Sequence, residues 1–118
     1  MMKIDAAALS ALQALRTERK FEPHAFYPGA PNEEIRIYCE SWANNLIDSL
    51  LAGLSSAPDV GFVLSRFKEH LELLDPQDTE ERERACGYCE QIMDILEIES
   101  SQGVLNSWLY GFDPNEEP

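Results

Sequence analysis

Basic side chains are scarce in this chain. Nine Lys and Arg stand against 22 Asp and Glu among 118 residues, a formal net charge of -13. Phosphate backbones and anionic bilayers are held by neutralising Lys and Arg, so a surface of this sign disfavours nucleic acid and membrane as direct partners. Cysteine is sparse as well. Cys39, Cys86 and Cys89 are an odd number in a chain long enough to bury a core without crosslinks, which points to reduced thiols and a cytoplasmic address. No apolar run reaches the roughly 18 to 20 residues that span a bilayer. The stretch from Ala6 to Leu15 is preceded by Asp5, interrupted by Gln13 and spaced helically through Ile4, Ala8, Leu12 and Leu15, so it reads as a helix and not as a secretion signal. Phosphate-cradling glycine loops, metalloprotease pairs and nucleophile elbows are missing too, and with them any sequence support for a catalytic site or a cofactor.

The charge that is present is unevenly spread. Residues 1–20 carry four bases and two acids, residues 21–68 three and six, residues 69–99 two and eleven, and residues 100–118 none and three. Crowding of like charge in one stretch destabilises a compact state while it aids solubility and speeds encounter with a cationic surface.

Periodicity and punctuation predict an all-α single domain, an up-and-down bundle of four main helices plus a short C-terminal helix. No segment alternates with the two-residue period of a strand. The first helix spans about Asp5 to Arg19 and leads into a loop rich in aromatics and prolines, from Lys20 to Pro31. Asn32 caps the second, with Glu33 and Glu34 in its first turn where the helix dipole favours them. Its apolar stripe of Ile35, Tyr38, Cys39, Trp42, Leu46 and Leu50 widens through Ile47, Leu51 and Leu54, which makes it the central helix. A break at Ser55 to Asp59 precedes a third helix that ends near Leu74, before Asp75-Pro76. In the fourth, Asp78 and Glu81 are spaced like a capping box, and Ala85, Cys89, Ile92 and Leu96 face inward. A last turn holding Val104, Leu105, Trp108 and Leu109 closes at Gly111 as a C-terminal lid. The helical domain is expected over residues 1–112, with residues 113–118 as a disordered acidic tail.

Cys86-Gly87-Tyr88-Cys89 has the spacing of a redox pair or half a zinc site. Thiol exchange pairs open a helix after a strand, however, and this pair lies two turns inside a helix. A zinc site needs two further ligands, and Cys39, His24 and His70 offer no second pair. Buried structural thiols are therefore expected, with no metal. His70, beside the apolar stripe of the third helix and next to Glu69 and Arg66, reads as a boundary histidine. His24 reads as a packed or solvated loop residue.

More informative is the outer face of the fourth helix, where Glu83, Glu90, Asp94 and Glu97 point away from the stripe. Glu90 and Asp94 are a like-charge pair four apart, and only Glu80 meets a base, Arg84, at that spacing. With Glu69, Glu72, Asp75 and Asp78 before it, this row is a candidate docking surface for a basic protein.

The turn Phe26-Tyr27-Pro28-Gly29 ahead of an amphipathic helix, and the ending Ile98-Glu99-Ser100-Ser101 through Gly103, Leu105, Asn106, Trp108, Leu109, Tyr110 and Gly111, resemble a family of small acidic bacterial helical proteins of unknown function. The Tyr-Pro-Gly turn leading into a long central helix is also similar to helical immunity proteins of interbacterial toxin systems. That second resemblance implies a non-catalytic inhibitor covering a basic surface. A structural homodimer and a thiol or metal protein built on Cys86 and Cys89 are the alternatives.

Overall fold

The computed structural model describes residues 4–24, 27–54, 59–74 and 79–110. Five helices follow one another: α1 (Ala6–Thr17), α2 (Glu33–Gly53), α3 (Val60–Leu73), α4 (Thr79–Ile95) and α5 (Val104–Tyr110). Among the described residues there is no strand, only an isolated bridge between His24 and Tyr27. Among the described residues no helix is long and apolar enough to cross a membrane.

Each of the first three helices starts on a side-chain cap that satisfies an otherwise orphaned amide. Asp5 accepts from the Ala8 N–H at 2.8 Å, Asn32 from Ile35 at 2.9 Å and Asp59 from Phe62 at 2.8 Å. The first helix is shorter than its periodicity predicts, because Glu18 already has extended backbone. The buried Lys20 ammonium then covers the open end of α1, donating to the carbonyls of Arg16 at 3.3 Å and Glu18 at 2.9 Å.

As its wide stripe predicts, α2 is central and packs on α1, α3 and α4. It buries Cys39, Trp42, Ala43, Leu46, Ile47 and Leu50, and each large aliphatic among them stabilises the fold by about 1.5–3 kcal/mol relative to exposure. Tyr38 departs from the expected stripe and is 39% exposed, while Arg36 takes a buried place on the same helix. The antiparallel course of α2 and α3 is fixed at both ends of their contact. Trp42 Nε1 donates to the His70 carbonyl at 2.6 Å, and at the far end a Cβ on Gly53 would fall 2.2 Å from Phe62 Cζ. Only glycine lets the helices approach so closely there.

Consecutive helices α3 and α4 touch each other at most weakly. The short α5 packs against both and occupies the gap between them. It is therefore a wall of the bundle and not only the lid expected from the sequence. Arg82 ties it to α4: the guanidinium donates to the Trp108 carbonyl at 2.6 Å and lies 4.7 Å from the centre of the Trp108 ring.

Candidate functional site

The end of α4 is built in an unusual way. The Ile98 N–H donates to the Met93 carbonyl at 2.8 Å and the Glu97 N–H to the Asp94 carbonyl at 3.2 Å, with Met93 and Ile98 both buried. That is a Schellman closure, in which the residue after the cap adopts left-handed backbone and is usually glycine. Here it is Glu97, at φ +58°. Left-handed backbone costs a residue with a Cβ roughly 1–2 kcal/mol. Asp94, in the last turn, and Glu97 also meet the negative end of the helix dipole, with no base in that turn to offset them.

The expected acidic face is present along α4 and its closing turn: Glu83, Glu90 and Asp94 on the helix and Glu97 just beyond it are all exposed, as is Glu72 on α3. None of these five carboxylates has an ion pair among the described residues. Glu69 differs, since Arg66 reaches it at 2.7 Å. Asp75 and Asp78, including the cap proposed for Asp78, lie outside the described residues, as do the Gly111 closure and the tail over 113–118.

Arg84 does not supply the surface pair expected with Glu80. Its guanidinium is turned over the rings of Tyr88, 4.6 Å from the centroid, and Tyr27, at 5.8 Å. Glu81 also points inward, with 1% of its surface exposed. It faces the Tyr27 hydroxyl, whose pKa is raised first by burial and then by this carboxylate.

These residues belong to a buried polar seam where the loop after α1 crosses α2 and α4. Tyr88 Oη accepts from the Phe21 N–H at 2.9 Å, and the Phe21 carbonyl accepts from the Ala30 N–H at 3.1 Å. Glu40 accepts from the Lys20 N–H at 2.7 Å, and Arg36 donates to the Lys20 carbonyl at 3.1 Å while pairing with Glu33 and with Glu40 at 3.2 Å. The loop is held in shape by Gly29 at φ +91°, where a Cβ would come within 2.9 Å of the Pro23 ring. Sequence reasoning missed this seam. The spacing of Glu33, Arg36 and Glu40 along one helix face was the readable signal.

All three cysteines are free and buried. Burial pushes the Cys86 thiol up to about 12 and the Cys39 thiol up to about 11, and raises Cys89 as well. A thiol that stays protonated is neither a nucleophile nor a ready metal ligand. Among the described residues, no three His, Cys, Asp or Glu converge as a metal site would require. His70 is half-buried, and desolvation lowers its pKa, as a boundary histidine requires.

Two grooves flank α5. On the α3 side, about 310 Å³ is lined by Leu71, Val104 and Trp108 with Lys68 and Glu72 at its edge. On the α4 side, about 350 Å³ is lined by Glu90, Asp94 and Glu99 over Met93, Ile98 and Leu105.

Fold and surface together define a small all-helical domain with a row of exposed carboxylates along α4 that meet no base among the described residues. The chain belongs to a family described as a domain of unknown function (DUF4844), whose model matches residues 3–113. It is similar to a DUF3571 family protein from Acinetobacter baumannii AYE, whose crystal structure matches with a TM-score of 0.81 at 26% identity over 88% of this chain and 89% of that one. No curated protein matches the chain. The resemblance to an uncharacterised helical family therefore stands, and neither match extends the likeness to immunity proteins.

Proposed function

We propose that this protein is a non-catalytic binding module of the cytoplasm that docks a basic protein through the outer face of α4, in the manner of an immunity-type inhibitor of a basic toxin. One observation carries the reading. Glu83, Glu90, Asp94 and Glu97 are exposed and without ion pairs among the described residues, and the last three are held against local energetics: Glu90 and Asp94 four residues apart, Asp94 and Glu97 at the wrong end of the dipole, and Glu97 in left-handed backbone. Charge held at such a cost in stability is the kind of departure that marks a surface used for something else. A desolvated basic surface would recover that cost on binding and would make association fast and steeply salt-dependent.

The test is affinity purification from the native host at low and then high salt, with the chain and its Glu83→Gln, Glu90→Gln, Asp94→Asn, Glu97→Gln variant side by side. A basic protein captured by the parent, released by salt and lost with the variant supports the reading. Equal capture by the variant sinks it.

Two other readings are testable as cheaply. Among the described residues Ile37, Tyr38 and Leu73 are the exposed large apolar side chains, at 51%, 39% and 69%, and they favour a homodimer through the α2–α3 side as the second reading. Concentration-dependent sedimentation decides that. For thiol chemistry, the native protein should leave a thiol reagent unreacted at pH 8 and release three thiols on denaturation. The sign of the accompanying pH effect follows from the raised values. Folded Cys39 and Cys86 keep their protons to about 11 and about 12, while unfolded thiols lose theirs near 9.0. Their contribution to stability is complete below pH 9 and disappears as the pH climbs through that window.

A further inference from the structure

The same helix separates a groove that wants apolar atoms from one that wants positive charge. Towards α3, the floor is Leu71, Val104 and the half-exposed Trp108, whose ring Arg82 holds from α4. Towards α4, Glu90, Asp94 and Glu99 are all exposed around a floor of Met93, Ile98 and Leu105. An α-helix with its side chains is about 10 Å across, which sets the spacing of the two grooves. Lys68 and Glu72 give the apolar groove one charge of each sign, whereas the α4-side groove carries three acids and no base, so the positive charge of an occupant is drawn to the α4 side.

We propose that α5 is a saddle for a basic partner segment, which seats an apolar side chain against Leu71, Val104 and Trp108 while a Lys or Arg about 10 Å away enters the carboxylate groove of Glu90, Asp94 and Glu99. On a helical partner that separation is about seven residues, two turns along one face, because each residue advances 1.5 Å. On an extended one it is about three residues. This inference rests on the acidic docking reading and narrows its partner to an amphipathic cationic segment. An apolar anchor in a pocket, with charge at the rim, is also how strong interfaces divide affinity from steering.

The experiment is amide and indole NMR of the isotope-labelled chain titrated with three synthetic 18-residue helical peptides: one of Leu and Lys, one with each Leu replaced by Ala, and one with each Lys replaced by Gln. The Leu/Lys peptide is expected to bind about tenfold more tightly than either control, shifting the Trp108 indole and the amides of Leu71 and Val104 together with Glu90 and Asp94. The Glu90→Gln, Asp94→Asn, Glu99→Gln variant should lose that advantage. Shifts confined to the α4 acids, with Trp108 silent, overturn the saddle and leave the docking face intact. Equal binding of the Gln peptide overturns the requirement for a base. If no peptide perturbs α4, the saddle and the acidic docking reading both fall.

Discussion

Around α1 and α2, Asp48, Glu22, Glu33 and Glu40 each meet an arginine: Arg16 at 2.8 Å, Arg19 at 2.7 Å, and Arg36 for the last two. Along α4 and its closing turn, Glu83, Glu90, Asp94 and Glu97 meet none among the described residues. Around α1 and α2 the arginines join loop to helix and helix to helix, whereas Arg82 and Arg84 on α4 are turned onto the rings of Trp108, Tyr88 and Tyr27 and leave the outer acids unmet. The lesson is that net charge alone is a poor guide to a surface. A total of -13 is compatible with one wall that is nearly neutralised and another that is not.

The sharpest way to break this contrast is Arg36→Ala. The side chain is 8% exposed and serves Glu33, Glu40 and the Lys20 carbonyl. Glu33 is 61% exposed and Glu40 21%, so losing these pairs and the donor to the Lys20 carbonyl should cost roughly 1.5–3 kcal/mol in urea unfolding. A loss under about 1 kcal/mol, the range of exposed pairs, would mean that the paired half is no better knit than the other.

Tyr88→Phe comes next. It leaves the buried Phe21 N–H without its acceptor and should cost about 1–3 kcal/mol, because an unmet buried donor forfeits its solvation. On the acidic half the signs reverse. Glu97→Gly relieves left-handed backbone at φ +58° and should raise stability by about 1 kcal/mol, read as a higher denaturation midpoint. Glu90→Gln removes the like-charge contact with Asp94 and should gain about 0.2–0.5 kcal/mol, an increment that shrinks as salt is added. If both acidic-half variants lose stability, the carboxylates are structural after all.

How much of this was legible beforehand differs by element. Helix count, the Asn32 cap, the central position of α2 and the outward row on α4 follow from periods and caps that act within one or two turns. Buried cysteines follow in the same way. The seam of Lys20, Phe21, Glu81 and Tyr88 was not legible, because the Phe21 amide and the Tyr88 hydroxyl lie 67 residues apart and no local pattern ties them. Glu81 shows the same limit: spacing recommends it as a capping residue, and it lies instead in the interior, facing the Tyr27 hydroxyl. Tyr38 was placed inside by its register and lies outside, since the chain at Lys20 covers the Arg36 and Glu40 side of those first turns instead. For α5, composition predicts a closing turn, but its position between α3 and α4 depends on those two helices standing apart.

That position has a consequence for the order in which the molecule can be assembled during synthesis. Until the ribosome has released α5, the apolar sides of α3 and α4 that meet in the gap, Leu71 and Met93 among them, have nothing to close against. The growing chain can pair α1 with α2 early, since those contacts are local in sequence. Its last wall must wait, so the acidic helix spends that interval with an open flank, where its like charge repels other unfinished copies of the chain.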